Sequence, residues 1–215
     1  MSTATPAARH VPAVLHDIDW GTYTRLLRAF ERRRGFRLTY DRGTLEIMSP
    51  LWEHERPSET LARFIYVLTE ELQLPCQLGG SITLRRRRKN RGLEPDKCYW
   101  IASARLLQGK THLDLRVDPP PDLALEMDVT HSSLDRMSIY TALGVPEVWQ
   151  VTAQGLTFHL LEEGRYQVHP NSLSFPRLAS ADLVDFLAEL PKIDSTALAL
   201  KFRKWVRDVL LKRPG

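Results

Sequence analysis

Apolar positions recur with the 3.6-residue period of a helix in five stretches of the chain. The first begins after Asp19, a favourable N-cap residue, and ends at Gly35 after three arginines. The second runs from residue 53 or 58 to 72, and the third follows Ser132 or Ser133, either of which is a suitable N-cap. Two more lie near the end of the chain. The pattern therefore predicts five amphipathic helices.

Shorter runs of β-branched, aromatic and aliphatic residues, bounded by turn residues, predict strands. Residues 36–40 and 44–48 flank an Asp-Arg-Gly turn, which predicts a hairpin. Further strands are predicted at 81–84, 98–101, 121–129, 145–151 and 156–161, and a last strand or loop at 165–168.

The order of these elements predicts an α/β domain with a mixed sheet and a helical C-terminal appendage. The chain has 215 residues, which suffices for one domain with a sizeable core. We expect a flexible segment at 1–16, the domain at 17–175, and C-terminal helices at 176–215 that pack on the same domain.

Two carboxylates lie on one face of the predicted strand 121–129. Strand side chains alternate between faces, so Glu126 and Asp128 point the same way. An acid on a core strand is costly unless it is paired or bound to a cation. Together with Asp96 from an earlier strand, these acids predict a site for a hard divalent cation. The alternative is that Asp96 is a turn residue after proline and Glu126 an ion-paired strand residue.

An ordered set of short segments points to a family. The segments are GTLEIMSP at 43–50, HE at 54–55, EPD at 94–96, PPPDLALE at 119–126 and YTALGVPEVW at 140–149. In this order they resemble the Uma-two family of restriction-endonuclease-like proteins, part of the PD-(D/E)XK nuclease superfamily. The resemblance covers most of the chain, and its strength lies in the ordered set, because each segment alone is weak.

The resemblance implies a restriction-endonuclease-like fold, in which helices flank a mixed central β-sheet, and a site for Mg²⁺ or Mn²⁺. It places Asp96 on the motif aspartate of the family and Glu126 on the acid of the (D/E)XK half. It also offers Glu55, in the second helix, as a further catalytic acid. The alternative for Glu55 is a solvated acid at a helix start.

The chain departs from the superfamily pattern at the lysine. The superfamily lysine is expected two residues after Glu126, where this chain has Asp128. Many relatives instead carry a lysine four residues before the tyrosine, where this chain has Arg136. Arginine stays cationic and can hold a phosphate, but its high pKa makes it a poor proton acceptor. We expect Asp128 to add a metal ligand and Arg136 to hold the scissile phosphate, unless the role of the lysine is missing.

The net charge of +4 favours anionic partners mildly. Basic residues are concentrated just before Asp96, in the loop formed by Arg85, Arg86, Arg87, Arg88, Lys89, Asn90 and Arg91. Such a loop can contact nucleic-acid phosphates without reading sequence. The alternative is a solvated hairpin tip.

The two cysteines, Cys76 and Cys98, have no CxxC neighbour, which argues against zinc and favours reduced thiols. We see no signal peptide and no apolar run of membrane-spanning length. A cytoplasmic protein without a membrane partner is therefore expected.

Two functions follow as hypotheses. The first is a Mg²⁺-dependent DNA endonuclease that hydrolyses phosphodiester bonds. The second is a catalytically weak or inactive nuclease-fold protein used for DNA binding or assembly. Because many nucleases of the superfamily act as dimers, a homodimer is a further expectation.

Overall fold

In a computed structural model of the protein, the described residues are 12–31, 35–49, 52–80, 82–127 and 132–214, with the side chains of 52–55 excepted. These residues form five α-helices and eleven strands. The helices are α1 (Trp20–Phe30), α2 (Trp52–Glu71), α3 (Arg136–Leu143), α4 (Ser180–Leu187) and α5 (Ser195–Asp208). The mixed α/β class and the C-terminal helices predicted from the sequence are confirmed.

The strands form two sheets rather than one. The first sheet contains β1 (Ala13–Leu15), β2 (Arg37–Asp41), β3 (Thr44–Met48), β5 (Leu84–Arg86) and β6 (Arg91–Leu93). Its order is β1-β3-β2-β6-β5, and every neighbouring pair is antiparallel. The predicted hairpin is β2–β3. Ala13–Leu15, which lies within the segment expected to be flexible, forms β1 and pairs with β3.

The second sheet is the mixed one. It contains β4 (Gln77–Gly80), β7 (Lys97–Trp100), β8 (Leu123–Met127), β9 (Glu147–Thr152), β10 (Gly155–Glu162) and β11 (Arg165–His169). Its order is β11-β10-β9-β8-β7-β4, and β8–β9 is its parallel pair. A strand is predicted at 81–84. The observed strands lie on either side of most of this range, since β4 ends at Gly80 and β5 begins at Leu84.

Helices cover both faces of the second sheet. On one face, α2, α4 and α5 share a core with Leu123 and Leu125 of β8. In that core, Phe64 of α2 stacks on Phe202 of α5 with ring centroids 4.1 Å apart. On the other face, α3 packs against Ala124 of β8. Burial of these side chains supplies the main stabilisation of the fold.

Helix α3 also contacts the first sheet, because its core includes Leu84 of β5 and Leu93 of β6. It therefore lies between the two sheets. Helix α1 covers the opposite face of the first sheet, where Tyr23 packs against Leu38 and Tyr40 of β2. Asp19 caps α1 as predicted, since its carboxylate accepts a hydrogen bond from the Thr22 amide at 2.9 Å.

The N-cap of α3 differs from the prediction. Asp135, not Ser132 or Ser133, caps the helix and accepts from the Ser138 amide at 3.0 Å. Gly144 ends the helix in the left-handed conformation, with φ of 78°, as expected of a C-cap glycine. None of the helices within the described ranges combines the length and hydropathy that crossing a bilayer requires.

Candidate active site

The face of β2 that is directed towards α3 is polar. Leu38 and Tyr40 point to α1, so Arg37 and Thr39 point the other way. Thr39 lies opposite Glu46 of β3, and both are almost fully buried. Buried polar groups need partners, and these come from the second sheet and α3.

Arg136, the first residue of α3, binds the carboxylate of Glu126 on β8 with two hydrogen bonds. Its Nε lies 3.0 Å from Oε2 and its Nη2 lies 2.6 Å from Oε1. Tyr140, one turn later, donates its hydroxyl proton to Oε1 of the same carboxylate. The Arg136 side chain is 6% exposed and that of Glu126 is 3% exposed. The pair is therefore a buried, bidentate ion pair.

The remaining donors of Arg136 bind the first sheet. Its Nη1 donates to Thr39 Oγ1 at 2.6 Å, and its Nη2 donates to the Glu94 carbonyl oxygen at 2.9 Å. Burial lowers the pKa of Arg136, but the Glu126 carboxylate outweighs this effect and holds the pKa above its usual range. Burial and the same carboxylate raise the pKa of Tyr140. The guanidinium thus stays charged and joins the two sheets.

Asp96 lies at the start of β7, beside the end of β8. Its Oδ2 accepts from the Met127 amide at 2.6 Å, which is the peptide that follows Glu126. Its Oδ1 forms an ion pair with Arg37 of β2. The structure therefore places Asp96 next to the peptide that follows Glu126, at the end of the β7–β8 pair. Each of these carboxylates is held by an arginine.

Glu46 holds the chain that leads into α3. Its Oε1 accepts from Ser132 Oγ at 2.8 Å, and its Oε2 accepts from the Ser133 amide at 2.6 Å and from Ser133 Oγ at 2.8 Å. The Glu46 side chain is fully buried. These three bonds fix Ser132 and Ser133, which precede α3, against the first sheet.

Glu94 completes the group. Thr83 Oγ1 donates to its Oε1 at 2.9 Å, and burial raises the pKa of the Glu94 carboxyl. We call the whole group the polar cluster. Its members are Arg37, Thr39, Glu46, Glu94, Asp96, Glu126, Arg136 and Tyr140.

The donor chemistry of the polar cluster fits a hard divalent cation. Asp96 and Glu126 supply the carboxylate oxygens that Mg²⁺ prefers. The cluster contains four carboxyl groups (Glu46, Glu94, Asp96 and Glu126) but two guanidinium groups, so it is acidic when the carboxyls are ionised. Within the described residues, no three His, Cys, Asp or Glu side chains form a metal-binding group. Asp128, the predicted third carboxylate, lies outside the described residues.

The other predicted site acid, Glu55, belongs to α2, but its side chain is outside the described set. One turn later on that helix, Glu59 accepts from Lys97 Nζ at 2.5 Å. Lys97 thus faces α2 while Asp96 faces the first sheet, as the alternation along β7 predicts. The N-terminal half of α2 consequently lies near the start of β7, and the assignment of Glu55 to the site stays a prediction.

The basic residues divide into two groups. Arg91 is structural, because it donates to Asp41 Oδ1 at 2.7 Å and to the Ser138 carbonyl at 2.8 Å. Arg86 is partly buried and lies at the C-terminal end of α3, beside Gly144. The exposed members are Arg85, Arg87, Arg88 and Lys89.

Sequence reasoning missed five members of the polar cluster as site residues, namely Arg37, Thr39, Glu46, Glu94 and Tyr140. Polar residues at alternate positions of a strand that is apolar on its other face are a signal that could have found Arg37 and Thr39. Glu46 between Leu45 and Ile47 carries the same signal on β3. The ring of Tyr140 lies in the core, and its hydroxyl donates to Glu126.

Comparison with known proteins adds a family match. The model of the Uma2 family, described as "Putative restriction endonuclease", matches residues 20–191. The matched range includes every member of the polar cluster. No curated protein matches the chain. A solved structure of "a putative nuclease belonging to DUF820" from Anabaena variabilis ATCC 29413 is similar over 69% of this chain and 89% of that chain, with 15% identity and a TM-score of 0.47.

Proposed function

Because the chain belongs to the Uma2 family, described as "Putative restriction endonuclease", we propose that it is a metal-dependent DNA endonuclease whose active site is the polar cluster. The observation that carries the proposal is the adjacency of Asp96 and Glu126, which sit side by side at the end of the β7–β8 pair. Family membership supports the nuclease-like activity. The metal, the DNA substrate and the residue roles are inferred from the chemistry of the site.

Asp96 and Glu126 would hold the metal, with Asp128 as a third ligand. Bound Mg²⁺ or Mn²⁺ polarises a phosphoryl oxygen and lowers the pKa of a bound water. Arg37 and Arg136 supply positive charge for the scissile phosphate. Arg37 is the more accessible of the two, with 19% of its side chain exposed against 6% for Arg136. Neither guanidinium serves as a base, because arginine does not lose its proton in this pH range.

The two ion pairs have a consequence for this mechanism. Asp96 and Glu126 each bind an arginine, so they would hold a metal only if Arg37 and Arg136 released some of their carboxylate contacts. A released arginine would supply positive charge for the scissile phosphate. The two ion pairs offset part of the acidic charge of the polar cluster.

A second candidate function is favoured by the same observation. Carboxylates whose oxygens already bind arginines, the Met127 amide and the Tyr140 hydroxyl need no metal, and the family's lysine position holds Arg136. We infer as the alternative a nuclease-fold protein that binds DNA, or assembles with partners, and cuts weakly or not at all.

The test is cleavage of supercoiled and single-stranded DNA in Mg²⁺ or Mn²⁺. Wild type is compared with Asp96→Ala and Glu126→Ala, and with the amides Asp96→Asn and Glu126→Gln, which preserve side-chain size. Asp185→Ala is the matched control, because Asp185 is an exposed acid on α4. Circular dichroism establishes that each variant is folded.

We expect wild type and the control to cleave DNA. The amide variants should be folded and should show no cleavage. If folded wild type binds DNA but does not cut it with either Mg²⁺ or Mn²⁺, the endonuclease proposal is wrong and the alternative is supported.

A further inference from the structure

Three consecutive cations form an exposed turn at the end of the first sheet. Arg87–Lys89 is a single 3-10 turn that connects β5 to β6, and all three side chains are exposed. Among the described residues, no ion pair or hydrogen bond engages these side chains. We call Arg87–Lys89 the basic turn. It presents three positive charges to solvent, and no acid in the described part of the chain forms an ion pair with them.

The basic turn is held in place on two sides. The Arg42 amide donates to the Asn90 carbonyl at 2.9 Å, which fastens the turn to the β2–β3 hairpin. Asn90 itself takes the left-handed conformation, with φ of 52°, and reverses the chain into β6. Arg91 binds both Asp41 and α3, as described above. A cationic turn anchored in this way is positioned relative to the rest of the sheet.

Strand β2 links the basic turn to the polar cluster. Arg37, at one end of β2, pairs with Asp96, and Asp41, at the other end, pairs with Arg91. Four strand residues span about 13 Å. Since the basic turn lies a few residues beyond Arg91, its charges stand about 15–20 Å from Asp96.

We propose that the basic turn binds the backbone phosphates of the nucleic acid about five base pairs from the phosphodiester held at the polar cluster. This deepens the proposed function and rests on it for the position of the cleaved bond. Duplex DNA rises about 3.4 Å per base pair along its axis, so two contacts about 15–20 Å apart along that axis are about five base pairs apart. Exposed Lys and Arg side chains bind phosphates without reading bases, so the contact positions the strand and adds no sequence preference.

The first test is the salt dependence of binding to fluorescein-labelled duplex DNA in Ca²⁺. The variant Arg87→Ala/Arg88→Ala/Lys89→Ala removes the basic turn charges. The matched control is Lys192→Ala/Lys204→Ala/Lys212→Ala, which removes three exposed cations from the C-terminal region. Each phosphate contact contributes a slope of about 0.9 in the plot of log K against log salt, so the basic turn variant should lose up to about 2.7 in slope.

The control should keep the wild-type slope. If the basic turn variant keeps it too, or if the control loses as much, the proposal is wrong. This readout does not depend on cleavage, so it can fail while the nuclease assay succeeds, or the reverse.

The second test measures affinity for DNA hairpins with stems from about 4 to about 20 base pairs. A stem shorter than the span cannot reach both the polar cluster and the basic turn. Wild type should therefore gain affinity as the stem passes the length that spans both, and the basic turn variant should show a smaller gain. Equal gains in the two proteins would contradict the proposed offset.

Discussion

Arg136 donates hydrogen bonds to both carboxylate oxygens of Glu126, with Nε 3.0 Å from Oε2 and Nη2 2.6 Å from Oε1. The pair is buried and also reaches Thr39 and the Glu94 carbonyl on the first sheet. One side chain at the start of α3 thus ties together both sheets and the acid expected to bind metal. Its substitution should affect stability and chemistry in distinguishable ways.

We predict that Arg136→Met lowers the free energy of unfolding by about 3–5 kcal/mol, because it leaves the Glu126 carboxylate buried without its cation. Arg136→Lys keeps the charge but loses the bidentate geometry, so its loss should be smaller, roughly 1–3 kcal/mol. Urea denaturation measures both. The control is Arg207→Met, because the Arg207 side chain is 59% exposed in its pair with Glu71, so this substitution should lower the free energy of unfolding far less than Arg136→Met does.

The two Arg136 variants also show whether cleavage depends on the positive charge of Arg136 or on its bidentate geometry. If Arg136 acts by its positive charge, Arg136→Lys should retain more cleavage than Arg136→Met under conditions where both are folded. Equal loss in the two variants would show that the bidentate geometry, rather than charge alone, is required.

Glu46→Gln should destabilise the protein by about 1–3 kcal/mol, because a charged acceptor of three hydrogen bonds is replaced by an amide. Ser133→Ala removes one of the same bonds. A double-mutant cycle on the two substitutions should therefore give less than additive losses. Strict additivity would mean that Glu46 does not hold the segment before α3.

The two thiols should react slowly in the folded protein. Burial raises the pKa of Cys76 from 9.0 to about 11, and raises that of Cys98 to about 12. At about pH 8 a shift of two pKa units leaves about 100-fold fewer thiolates on Cys76, and the thiolate is the reacting species. Ellman's reagent should label neither thiol readily until concentrated guanidinium chloride unfolds the chain. Rapid labelling of either thiol in native buffer would contradict the prediction.

The sign of the linked stability effect follows from the same pKa values. The folded state favours the neutral thiols, so their contribution to stability is complete below pH 9.0 and is lost as the pH rises towards 11 and 12.

Phe202→Ala in α5 should cost about 3–5 kcal/mol, because Phe202 is fully buried and stacks on Phe64 of α2. Leu200→Ala on the same helix is the control, since Leu200 is 62% exposed and should change stability by about 0.5 kcal/mol or less. A single unfolding transition for both variants would support the expectation that the C-terminal helices belong to the same cooperative unit. A separate early transition in Phe202→Ala would contradict it.

The helices and the acidic strand could be predicted from the sequence because their signals are local. Asp19 as an N-cap, Gly144 as a C-cap and the apolar stripe of α2 each depend on residues within one or two turns. That Asp96 and Glu126 lie near each other could also be predicted, from strand alternation and from the family resemblance.

The division of the strands into two sheets could not be predicted from local patterns. Neither could the arginines that bind Asp96 and Glu126. Which strand pairs with which is decided by contacts between residues far apart in sequence, such as β2 with β6. Arg37 reaches Asp96 across 59 positions, and no local pattern encodes that contact. The N-cap of α3 was misplaced because Ser132 and Ser133 bind Glu46 instead, again a long-range choice.

The central claim is that Asp96 and Glu126 bind a divalent cation, and titration calorimetry with Mn²⁺ tests it most directly. Wild type and the control Asp185→Asn should bind Mn²⁺, whereas Asp96→Asn and Glu126→Gln should bind at least about tenfold more weakly, because each removes a charged oxygen donor. Arg37→Gln should bind more tightly than wild type, since it removes a cation that competes for Asp96. Unchanged Mn²⁺ affinity in both amide variants, or no binding by folded wild type, would contradict the account.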